Sequence, residues 1–112
     1  MGTPIRAQYA SVAAAAGSGD NVIVSGSANH LVRLYGYLLT ADDNSELIWK
    51  GLDGTGATVD YTGNLFFRSG STVCSHDSDW GILETAEGES LVLNVSGSGA
   101  IGGYVAYHLK SV

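Results

Sequence analysis

Glycine punctuates this chain at short, regular intervals. The segments "GSGDN", "SGSAN", "LDGTG", "YTGN", "RSGS", "AEGE" and "SGSGAIGG" recur, with "ADDNS" among them, at spacings of about eight to twelve residues. Proline is nearly absent, with Pro4 the single instance against sixteen glycines. Turns that close together leave no room for helices of ordinary length, and the apolar runs between them contain no proline to break a ladder. The pattern predicts an all-β chain of many short strands.

The segments between the turns read as strands: "NVIVSG", "HLVRLYGYLLT", "ELIWKGL", "ATVDYT", "NLFFRS", "DWGILET", "SLVLNVS" and "GYVAYHLK". With the N-terminal segment this makes eight or nine, the number expected of an antiparallel two-sheet sandwich of jelly-roll type. At 112 residues the chain fits one core. Residues 1–18 read as an N-terminal arm or first strand and 19–112 as a single β-sandwich domain. The segment through Ala16 is small and nearly uncharged, with no clear helical stripe, and is expected to act as an arm that pairs with a neighbouring copy or with a larger assembly.

Alternation assigns faces. In "SLVLNV", Leu91, Leu93 and Val95 form the core face. In "GYVAYHL", Val105, Tyr107 and Leu109 oppose Tyr104, Ala106 and His108. In "HLVRLYGYLL", Val32, Leu34 and Leu38 share one side, and Arg33, Tyr35, Tyr37 and Leu39 the other. That second side is aromatic and apolar: either it is the true core face, or it meets another subunit.

The composition excludes several functions. A net charge of −6 with five scattered cations argues against nucleic acid and against an anionic membrane surface. No window is long and apolar enough for a membrane helix. Residues 1–19 do not read as a secretory signal, and Cys74, the one cysteine, allows no intrachain disulfide. Synthesis in a reducing cytosol is the expectation.

Four segments invite chemistry. "ETAEGES" holds Glu84, Glu87 and Glu89, but Gly88 and the flanking strands mark a hairpin or short loop, not the walls of a glycosidase cleft. "CSHDSDW" places Cys74, His76, Asp77 and Asp79 together without the paired spacings of a zinc site, and reads as a polar loop leading to a strand at Trp80. "ADDNSE" and "DGTG" offer oxygens for calcium but lack the spacing of an EF-hand, and read as turns. No catalytic residue, cofactor or metal site is expected. The aromatic residues, Tyr9 and Trp80 included, read as core or subunit-interface positions.

The stretch "DWGILETAEGESLVLNVSGSGAIGGYVAYHL" resembles small virion proteins of tailed bacteriophages, through Glu84, Thr85, Gly88, Glu89, Leu91, Leu93, Gly103, Val105 and Tyr107. "GDNVIVSGSANHLVRLYGYLLTADDNSELIWKGLDGTG" resembles the same group, so the likeness runs from about Gly19 to Tyr107. It implies a non-enzymatic head decoration, or cement, protein on the capsid surface, bound to the major capsid protein and often trimeric. The alternative is a tail-associated carbohydrate- or receptor-binding module, or a low-copy connector component. The expected interface comprises Arg33, Tyr35, Tyr37, Tyr9 and Trp80.

Overall fold

A computed structural model describes residues 8–75 and 81–112. Ten strands run in order: β1 Gln8–Ala14, β2 Gly19–Val24, β3 His30–Ala41, β4 Ser45–Leu52, β5 Thr58–Asp60, β6 Leu65–Phe67, β7 Thr72–Ser75, β8 Leu83–Glu84, β9 Ser90–Gly97 and β10 Ile101–Ser111. Among the described residues there is no helix, so none is long and apolar enough to cross a membrane. The chain is all-β, two antiparallel sheets of five strands packed face to face.

The first sheet has the order β1-β10-β3-β7, with β8 also pairing β3; the second has the order β2-β9-β4-β5, with β6 also pairing β4. Each sheet is thus four strands wide, its fourth position shared by two short strands along one long neighbour. Gln8–Ala14, inside the segment read as arm or first strand, are a strand of the sandwich, with Val12 and Ala14 buried in the core.

The core lies between the sheets. Val12, Val32, Leu34, Leu39, Ile101 and Val105 come from one, and Leu47, Trp49, Phe67, Leu91, Leu93 and Val95 from the other. Tyr37 packs on Trp49 across the gap with ring centroids 5.5 Å apart. Leu91, Leu93 and Val95 occupy the face that alternation assigns them, as do Val105, Tyr107 and Leu109.

β3 departs from simple alternation. Ala106 pairs with Gly36 but Tyr107 pairs with Leu34, so Tyr35 is an extra residue in a β-bulge. A bulge of one residue reverses the facing of everything beyond it. Val32 and Leu34 point inward on one side of the bulge, and Tyr37, Leu39 and Ala41 point inward on the other. The side read as Arg33, Tyr35, Tyr37 and Leu39 is therefore split: Tyr37 and Leu39 face the core, and Arg33 and Tyr35 lie outside it.

Two other expectations are corrected. "STVCS" is a strand, β7, pairing Leu38 with Cys74, because its edge position on β3 leaves little sequence signal. Of the two readings of "ETAEGES", the short loop holds and the hairpin does not: β8 pairs with β3 in the first sheet and β9 lies in the second, so the segment crosses between sheets. Gly88 does supply the positive φ, at 80°.

Candidate functional site

Of the expected interface residues, Tyr9 lies on β1 and Arg33, Tyr35 and Tyr37 on β3, all strands of the first sheet. β1 presents Ala10, Val12 and Ala14 inward and Tyr9, Ser11 and Ala13 outward. On β10 the outward set includes Tyr104 and Ala106, the latter opposite both Tyr9 and Gly36. Tyr9 and Tyr104 meet edge to face at 5.8 Å, and they are 66% and 43% exposed. Arg33 and Tyr35 lie on this same outer side of β3. The fold thus brings Tyr9, Arg33 and Tyr35 onto one sheet face and turns Tyr37 away, into the core. Trp80, His76, Asp77 and Asp79 lie outside the described residues.

Each member has a distinct local cause. Arg33 donates from Nε to the Glu84 carboxylate at 2.7 Å, and a second nitrogen approaches the same oxygen at 2.5 Å, tying β8 to β3. Glu84 accordingly holds the guanidinium even more firmly protonated than usual. Tyr35 stands close enough to add to that effect, yet its buried hydroxyl makes no hydrogen bond of normal geometry. It sits outside the core cluster, as the extra residue of a bulge must when its neighbour Leu34 points inward.

Beside the aromatic pair runs an open sheet edge. Of the four edges, three carry the usual protections. β7 and β8 have four and two residues, and β5 and β6 have three each. β2 is bulged at Ile23 and carries Asp20, which lies 3.6 Å from Lys50. β1 has seven residues, no charge, no proline and an unbroken register with β10.

The acidic loops do structural work. Asp42 accepts the Ala100 N–H at 2.7 Å, and Asp43 accepts the Asn44 N–H at 2.8 Å. Asp53 accepts from the Thr55 N–H, the Thr55 hydroxyl and the Ala57 N–H, which together hold its carboxyl below the usual range. Among the described residues no three His, Cys, Asp or Glu side chains gather as a metal would require. Of the three glutamates, Glu87 is exposed, Glu84 pairs with Arg33, and Glu89 accepts from Tyr61 and Ala86.

Comparison with protein-family models, with curated proteins and with solved structures found no match for this chain. What sequence reasoning missed is the pairing of face and edge. The bulge that selects which tyrosines face outward has no sequence signature beyond the glycine at position 36.

Proposed function

We propose that this chain is a non-enzymatic structural protein of a tailed-phage virion that decorates and cements the capsid, binding the major capsid protein as a homo-oligomer. The observation that supports this reading best is the contiguity of the open β1 edge with the exposed Tyr9–Tyr104 pair. Main-chain groups along the edge supply affinity by strand addition, and the two rings beside it supply buried apolar area. A lattice multiplies modest contacts of this kind, since each copy bridging neighbouring subunits adds its binding free energy to the assembled state.

The strand order supports the jelly-roll form of the sandwich. β1 with β2, β10 with β9, β3 with β4, and β7 and β8 with β5 and β6 occupy corresponding positions of the two sheets. That is the arrangement of one long antiparallel ribbon rolled on itself. The edge-to-face geometry of Tyr9 and Tyr104 favours a protein partner on this face over a sugar, because the two rings do not form a common plane.

The test is the copy number of this chain in purified virions, measured by quantitative mass spectrometry against the major capsid protein. Near-stoichiometric amounts support decoration. A handful of copies per particle would move the chain to the tail or connector, and absence would overturn the proposal. Ser11→Lys, which adds charge to the β1 edge without entering the core, is expected to reduce occupancy while leaving the thermal midpoint nearly unchanged.

A further inference from the structure

The opposite face of the molecule, on the second sheet, holds a groove away from the proposed assembly surface. Its volume is about 680 Å³, within the range of ligand-binding clefts. One cross-strand row forms its floor: Phe66 on β6, Glu46 on β4 and Ser96 on β9, each directly opposite the next. Arg68 and Ser98, from the loops that leave β6 and β9, stand at its end.

Alternation places Phe67 in the core and so drives Phe66 outward, where it is 73% exposed. Three ion pairs join described residues elsewhere, and neither the Glu46 carboxylate nor the Arg68 guanidinium takes part in any of them. Among the described residues, the hydrogen bonds of Glu46, Arg68 and Ser98 are made by their main-chain groups: the Glu46 carbonyl accepts from Ser96, and the Arg68 and Ser98 N–H groups donate to Ser71 and Asn44. A bare aromatic ring, an acceptor-only acid, a donor-only guanidinium and a hydroxyl therefore converge on one concavity.

We propose that this groove binds a neutral saccharide chain. A pyranose offers an apolar C–H face for the Phe66 ring. Its hydroxyls both donate and accept, so neighbouring hydroxyls can satisfy Glu46 and Arg68 at once. The opposite charges of those two groups cancel locally, and the chain as a whole is acidic at −6, so nothing draws a polyanion to the site. A peptide adding to the sheet here would find only the three residues of β6 to pair with. This inference does not rest on the capsid reading, since the groove and the β1 edge belong to different sheets.

The experiment is a ¹⁵N NMR titration of the full chain with cellohexaose, maltohexaose, mannohexaose and xylohexaose. At least one is expected to shift the amides of residues 44–46, 66–68 and 96–98 saturably, with a Kd of about 1 mM or tighter. Phe66→Ala is expected to weaken that binding at least about tenfold while retaining the dispersed spectrum of the folded chain. Phe66→Leu, which keeps the bulk and removes the ring, is expected to do the same and covers the case in which the alanine variant unfolds. Arg68→Met and Glu46→Gln are each expected to weaken it by about fivefold. No saturable shift with any of the four sugars would overturn the proposal. So would shifts indifferent to Phe66→Leu, or binding confined to a peptide or to a charged polysaccharide such as heparin.

Discussion

Tyr61 donates its phenolic hydrogen to the carboxylate of Glu89, and the same carboxylate oxygen accepts the Ala86 N–H at 2.8 Å. The Ala86 N–H also reaches the tyrosine oxygen at 3.0 Å, closing a three-membered network. Gly51 on β4 makes room for it, because a Cβ there would fall against Glu89 and 2.7 Å from the Tyr61 ring. The loop that crosses from the first sheet to the second is thereby fastened to the second sheet at its midpoint.

This network makes stability depend on alkaline pH. Burial, with the Glu89 hydrogen bond second, pushes the Tyr61 hydroxyl from 10.0 up to about 12. A group whose pKa is raised on folding contributes stability that is complete below its unfolded value and lost as pH climbs through its folded one. The thermal midpoint is therefore expected to fall between pH 10 and about 12, beyond the decline shared by the other tyrosines and lysines. Tyr61→Phe should lower stability at neutral pH by about 1–2 kcal/mol and flatten the alkaline slope. A slope unchanged in Tyr61→Phe would refute the assignment.

The glutamates of this loop are not equivalent, although the sequence treats them as one turn. Glu84→Gln removes the charge of a partly exposed ion pair with Arg33 and is expected to cost about 1 kcal/mol or less, diminishing further in high salt. Glu89→Gln alters the group that accepts from both Tyr61 and Ala86 and is expected to cost about 1–3 kcal/mol. Urea unfolding of the two single variants gives both values. Equal effects would return Glu89 to the status of a surface charge.

Thr85 supports the same loop from below. Its buried hydroxyl accepts the Val32 N–H at 2.9 Å, while its own N–H donates to the Val32 carbonyl at 2.9 Å. Thr85→Val preserves shape but orphans a buried donor, with an expected loss of about 1–3 kcal/mol. Thr85→Ser, which keeps the oxygen, should recover much of that loss. Hydrogen exchange at the Val32 amide is the direct measurement, expected to speed up in the valine variant only.

Gly103 is expected to be the least replaceable residue of β10. Its φ is +135°, and a Cβ built on it collides with the Leu38 carbonyl oxygen. Both the backbone conformation and the close approach exclude a side chain, so Gly103→Ala should cost at least about 3 kcal/mol. Thermal unfolding compared with Gly54→Ala, where open space surrounds the position, supplies the control.

Much of the fold was legible in the glycine spacing and in the alternation of β9 and β10, because a face buried along a whole strand writes itself into every second residue. The existence of β3 was legible too, but its facing was not, since one extra residue at Tyr35 shifts the phase and leaves a sequence that looks apolar on both sides. The crossing of "ETAEGES" between sheets was hidden for a different reason. Local turn chemistry reports that the chain bends, not which sheet the next strand joins. The row Phe66–Glu46–Ser96 depends on register between three strands separated by long stretches of chain. No local pattern encodes such a register, so the groove emerges only once the ladders are in place.

The uncovered edge of β1 has a consequence for handling the purified chain. An uncharged strand whose outer edge pairs with no other described strand is a template for any other extended polypeptide, including partly unfolded copies of the same protein. Stored concentrated, the chain should accumulate fibrillar or amorphous material seeded at residues 8–14. An edge left open for pairing thus sets a shelf life for the isolated chain.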